Sequence, residues 1–101
     1  MNELEPTEFY LAQNYPNPFK EMTVIKYCVA YKTRVKIKVY NADGKEIEQL
    51  ADEEKKPGTY EVEFKASVLQ SGKSLNLSEE IYSYCLEAGD YTSQKKMSLQ
   101  K

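Results

Sequence analysis

The chain has no histidine and no tryptophan, and only two cysteines and four glycines among its 101 residues. Without histidine there is no imidazole to act as general base near neutral pH, to sit in a nucleophilic triad, or to ligate a metal. Cys28 and Cys85 lie far apart and lack the short Cys-x-x-Cys spacing of a zinc site. Two cysteines are also too few for a disulfide scaffold. The glycines are scattered through turn sequences, so no glycine-rich loop is available to cradle a phosphate. No apolar run approaches the roughly 20 residues that span a bilayer, and no membrane insertion is expected. A formal net charge of −2 gives no support to a strongly basic nucleic-acid-binding face. The expectation from these absences is no enzyme activity, no cofactor, no metal site and no nucleic-acid partner.

What is present is alternation. With 41% apolar and 30% charged residues, one small domain can bury a core and stay soluble. Val35, Ile37 and Val39 alternate with Lys36, Lys38 and Tyr40, and Tyr60, Val62 and Phe64 alternate with Glu61, Glu63 and Lys65. Ile25, Tyr27 and Val29 repeat the pattern, as do Tyr82, Tyr84 and Leu86, and Met97 and Leu99 close the series. Period two with one apolar face is the mark of a half-buried strand. Turn sequences separate the runs: Asn41-Ala42-Asp43-Gly44, Pro57-Gly58 and Ala88-Gly89-Asp90, each built from residues that bond their own backbone or tolerate positive φ. The spacing predicts strands near 9–14, 23–30, 34–41, 45–51, 58–66, 80–88 and 91–100, a sandwich or barrel. Helix is limited to at most one turn over Lys65 to Gln70. The expected core is Ile25, Tyr27, Val29, Val35, Ile37, Val39, Ile47, Leu50, Tyr60, Val62, Phe64, Tyr82, Tyr84, Leu86, Met97 and Leu99.

Two segments break the rhythm. Tyr15-Pro16-Asn17-Pro18-Phe19 cannot donate fully to a ladder and belongs on an edge or in a kinked crossing between sheets. Ser71 to Glu80 is polar and without period, so it reads as an exposed loop. Met1 to Glu8 is acidic and polar. It reads as a linker rather than a signal peptide, and any export signal is expected upstream.

Several local patterns allow a second reading. Asn41-x-Asp43-Gly44-x-Glu46 contains part of a calcium loop but lacks the rest of the twelve-residue ligand pattern, and a hairpin turn is favoured. The alternation aims Cys28 and Cys85 outward on different sheets, beyond the roughly 7 Å between Cα atoms that a disulfide spans, so two free thiols are expected. Lys36 and Lys38 with Tyr40 could meet an acidic partner, but cross-strand pairing with Glu46 and Glu48 is favoured. The nine tyrosines could serve glycan binding, though Tyr27, Tyr60, Tyr82 and Tyr84 fall in the buried phase and fill the core. Glu53-Glu54-Lys55-Lys56 reads as a solvated turn, and Asn76-Leu77-Ser78 as a sequon in a polar loop.

Leu11-Ala12-Gln13-Asn14-Tyr15-Pro16-Asn17-Pro18-Phe19 resembles the opening of the C-terminal sorting domains (type A) of the type 9 secretion system of Bacteroidetes and relatives, themselves related to the immunoglobulin-like domain of flagellar hook-capping proteins. The resemblance runs on in register. It takes in Thr23 to Tyr27, Val35 to Asn41 with Gly44 to Ile47, Pro57 to Val62, Ile81 to Tyr84 with Leu86 and Ala88 to Tyr91, and Lys95-Lys96-Met97 with Leu99 and Lys101. Three features depart from it: Lys20-Glu21 in place of a second Asn-Pro, an insertion over 73–80, and Cys85 where the family often carries a basic residue. The resemblance implies an immunoglobulin-like antiparallel β-sandwich of about seven strands over 9–101, following a linker over 1–8. It implies a non-catalytic export signal joined to an upstream cargo domain, carried through the periplasm, recognised by outer-membrane translocon proteins, and delivered to the cell surface or medium. The candidate recognition residues are Tyr15, Pro16, Asn17, Pro18 and Phe19, then Gly89 and Asp90 in the last turn, and Lys95, Lys96, Met97 and Leu99 on the terminal strand. An accessory structural, glycan-binding or scaffold module of the same fold is the alternative.

Overall fold

The computed structural model describes residues 8–66 and 80–100. The linker before Glu8, the helical turn toward Gln70, the insertion up to 79 with its sequon, and Lys101 lie outside the described residues. Seven strands follow in order: β1 (Tyr10–Leu11), β2 (Met22–Val29), β3 (Thr33–Tyr40), β4 (Glu46–Lys55), β5 (Gly58–Lys65), β6 (Ile81–Ala88) and β7 (Tyr91–Ser98). They form a three-stranded sheet ordered β1-β2-β5 and a four-stranded sheet ordered β4-β3-β6-β7, all antiparallel. This is the immunoglobulin-like sandwich that the resemblance implies, and one of the two architectures, sandwich or barrel, that the alternation and turn spacing predict.

The inward phases meet between the sheets. Ile25, Tyr27 and Val29 from β2 face Val35, Ile37 and Val39 from β3 and Tyr82, Tyr84 and Leu86 from β6, each at most 1% exposed. Burying one such side chain contributes about 1.5–3 kcal/mol. Ile47, Tyr60 and Val62, placed in the core by their phase, are only partly buried. They lie on β4 and β5, the outer strands of their sheets, where the cover is thinner. Leu11, Phe19, Ala51, Ala66 and Ala88 join the core instead.

Two strands differ from their predicted extents. β4 continues through Glu53, Glu54 and Lys55, so this charged run is strand rather than turn. Its partner supplies opposite charge: Arg34 Nε donates to Asp52 at 2.7 Å, and Lys32 lies 3.7 Å from Glu54. Register shifts between Ile37 and Lys38 and between Val39 and Tyr40 make β4 bulge, leaving Leu50 and Ala51 buried in succession. A bulge breaks period two and re-aims side chains. β1, expected over 9–14, keeps only Tyr10 and Leu11 as regular strand; Ala12 still donates to the Lys26 carbonyl of β2 and Tyr15 rejoins β2 at Val24, but between them the Asn14 amide turns to the Tyr84 hydroxyl.

The turn at Asn41 is a tight hairpin. The Asn41 Oδ1 accepts the amides of Asp43 and Lys45, each at 3.0 Å, and Gly44 takes φ +83°. Lys38 pairs with Glu46 at 3.7 Å, while Lys36 stands opposite Asp52 rather than Glu48. Both cysteines are free. Cys28 is half-buried as its outward phase predicts, but Cys85 is only 8% exposed. It points outward from β6, an inner strand of its sheet, and stands directly between Lys38 of β3 and Gln94 of β7.

Candidate recognition interface

The proline-bearing segment carries the chain from one sheet to the other. Tyr15 bridges to Val24 in the three-stranded sheet, and four residues later Phe19 bridges, in parallel, to Leu99 beyond β7. Pro16 and Pro18 occupy the crossing between these bridges, and both follow cis peptide bonds. Proline has no N–H to contribute to either ladder, so the crossing is anchored by its neighbours.

The first anchor is a buried polar node. Asn14 is 2% exposed and Thr23 is fully buried. The Asn14 amide N–H donates to the Tyr84 hydroxyl at 2.7 Å, and that hydroxyl donates to the Ala12 carbonyl at 2.7 Å. The Asn14 Nδ2 donates to Thr23 Oγ1 and to the Pro16 carbonyl, and Thr23 Oγ1 donates to the same carbonyl at 2.9 Å. No buried side-chain nitrogen or oxygen among the described residues is left without a partner, as a polar group in a core requires. Burial pushes the Tyr84 hydroxyl up to about 12, although the bond from Asn14 works the other way. Tyr27, in the same core, is raised to about 12 by burial, then by the charge of Glu53 and by Tyr60.

The second anchor grips the terminal strand. Gln13 Nε2 donates to the Lys96 carbonyl at 2.6 Å, and the Ser98 amide donates to Asn17 Oδ1 at 2.9 Å. The Phe19 amide donates to the Ser98 carbonyl at 2.9 Å, and the Gln100 amide donates to the Phe19 carbonyl at 2.8 Å. These bonds show which backbone groups of β7 face away from β6: those of Lys96 and Ser98. By the period of two, those of Thr92 and Gln94 face the same way. Among the described residues no strand pairs with that side.

The structure therefore brings two of the predicted groups together. Tyr15, Pro16, Asn17 and Pro18 are exposed beside Lys96, which is also exposed, and Lys95, which is half-buried. Phe19, Met97 and Leu99 are each 1% exposed. They point into the core, and Phe19 packs edge-on to Phe64 at 6.0 Å. Gly89 and Asp90 lie in the turn at the other end of β7, roughly 25 Å away at 3.4 Å per residue. Gly89 has a structural reason to be glycine: φ is +59°, and an added Cβ would sit 3.0 Å from the Tyr31 hydroxyl. Gln13, Asn14 and Thr23 are the anchoring residues that the alternation left unassigned; it places Tyr84 in the core, but not the bonds of its hydroxyl. The one signal for them was a polar Thr23 in phase with Ile25 and Tyr27.

The fold is a small antiparallel sandwich whose last strand, at the edge of one sheet, is clamped by the proline-bearing segment. The chain belongs to the family of secretion system C-terminal sorting domains, whose family model matches residues 13–100. Domains of this family mark proteins for export to the cell surface or medium, and their role suggests no catalysis. No curated protein matches the chain. Among solved structures it is similar to dimeric latent PorU from Porphyromonas gingivalis, with 13% identity and a TM-score of 0.61 over 98% of this chain. The chain spans about a tenth of that protein's length, 10%, and the likeness is one of fold.

Proposed function

We propose that this domain is a non-catalytic sorting tag for a cargo domain joined upstream, read by an outer-membrane translocon at the free edge of β7. The observation that carries this reading is the edge itself. No described strand pairs with the outward backbone groups of Thr92 and Gln94, although β1 lies beside β7. Beside them Lys95 and Lys96 belong to none of the ion pairs among the described residues. An open edge can accept an extended segment through main-chain bonds, with flanking side chains setting preference. The two lysines favour an acidic segment. Tyr15, Pro16, Asn17 and Pro18 form the wall next to this edge. Asp90, with Gly89, marks its far end. The buried Phe19, Met97 and Leu99 act by supporting that surface from beneath.

The test is transport. Residues 1–101 are fused to the C-terminus of a fluorescent reporter that carries an inner-membrane export signal. The fusion is expressed in a bacterium with a working type 9 system and in its translocon-null sibling. Reporter outside the cell in the first strain alone is the expected result, with delivery reduced at least severalfold by Lys95→Glu combined with Lys96→Glu. Periplasmic retention in both strains sinks the sorting reading. Undiminished delivery by the double variant sinks the assignment to the lysines.

A further inference from the structure

A strand lying parallel to β7 would ordinarily satisfy its outward Lys96, Ser98 and Gln100 groups from its own backbone. The segment beside them does not do so at Lys96 and Ser98, because Pro16 and Pro18 break the regular extended backbone there. Side-chain amides take their place. Gln13 donates to the Lys96 carbonyl, Asn17 accepts from the Ser98 amide, and only then does the Phe19 backbone take over. The Gln13 Nε2 is itself aimed by Asn14, whose Oδ1 lies 2.7 Å away, and Asn14 is fixed in the buried node by Thr23 and Pro16. The bonded part of the edge thus begins at Lys96, and the part without a pairing strand among the described residues is Thr92 through Gln94, with β1 lying beside β7.

We infer that Gln13 and Asn17 are positioning residues whose amides imitate a neighbouring strand, fixing where the edge of the terminal strand closes and the register in which its open part is displayed. This inference rests on the sorting reading for its biological use, but not for its structural claim. Each amide has one required polarity. Gln13 must donate, because its partner is a carbonyl, and Asn17 must accept, because its partner is an N–H. Asn17→Asp keeps the acceptor, Asn17→Leu removes it, and Gln13→Glu removes the donor.

The experiment follows amide hydrogen exchange by NMR in the folded 101-residue domain. Ser98 is compared with Ile37 in the central strand β3, alongside delivery of the reporter fusion. Asn17→Leu is expected to speed Ser98 exchange roughly three- to tenfold while Ile37 is unmoved, and Asn17→Asp by less than about twofold, the range expected for loss or retention of one neutral hydrogen bond. Delivery is expected to fall with Asn17→Leu and Gln13→Glu and to be kept with Asn17→Asp. Unchanged Ser98 exchange in Asn17→Leu overturns the clamp. Faster exchange with full delivery overturns the positioning role. If the unaltered domain is not delivered at all, the sorting reading fails on its own, and the exchange pattern alone decides whether the edge is held as inferred.

Discussion

The Tyr84 hydroxyl is held from both sides, accepting from the Asn14 amide and donating to the Ala12 carbonyl. Tyr84→Phe leaves both backbone groups without that partner in a nearly dry setting, and a loss of about 1–3 kcal/mol is expected in urea unfolding. The same residue gives a pH test. Tyr27 and Tyr84 ionise near 12 when folded, but near 10 in the unfolded chain. Above pH 10 the unfolded state therefore releases protons that the folded state keeps. Stability is full below pH 10 and declines as pH rises toward 12. The decline should be shallower in Tyr84→Phe, measured as the urea midpoint between pH 8 and 11.5. The two cysteines should separate in a thiol-labelling time course. Cys28 is half-buried and reacts in the native protein. Cys85 is covered, and burial pushes its thiol above the ordinary range, so it reacts only on unfolding. Period two could place Cys85 on an outer face. It could not say that Cys85 would stand between Lys38 and Gln94 on an inner strand and be buried there.

At the level of the element, the strands most legible in the sequence are those with one neighbour on each side and a regular register. β2 and β3 keep strict alternation, and β6 does so apart from Cys85, because any slip would turn their apolar set to water. β4 was legible only in its first half. Its two bulges bring Leu50 and Ala51 inward together, and its charged second half looks like a turn until Arg34 and Lys32 are seen across from it. The recognition segment was legible as a crossing, since two prolines forbid a regular strand. The partners of its amides were not legible, because they lie more than eighty positions away. The β6–β7 turn adds a further expectation. Gly89→Ala puts a Cβ on a residue at φ +59° and against Tyr31, so a loss of about 1–2 kcal/mol is expected from the backbone conformation alone, read as a lowered thermal midpoint.

For the whole molecule, the described residues begin beside the start of β7, at Phe9, and end beyond its other end, at Gln100, in a body 43 Å long. At one pole Phe9 stacks on Tyr91 at 5.4 Å and meets Tyr31 edge-on at 4.9 Å. At the other, Phe19 and Leu99 run side by side in the same direction. A pull applied between the two ends draws these segments past one another along their common axis. The Gln13–Lys96, Asn17–Ser98, Phe19–Ser98 and Gln100–Phe19 bonds then carry tension as a group, in shear, and must rupture nearly together rather than peel apart in sequence. In single-molecule pulling, the domain should yield at a higher force when drawn by its ends than when drawn from Thr33 and Lys55, partners at one end of the β3–β4 ladder that peel apart in sequence, and Asn17→Leu should narrow that gap. A tag hauled by its tail would thus resist unravelling along the very axis on which its cargo drags.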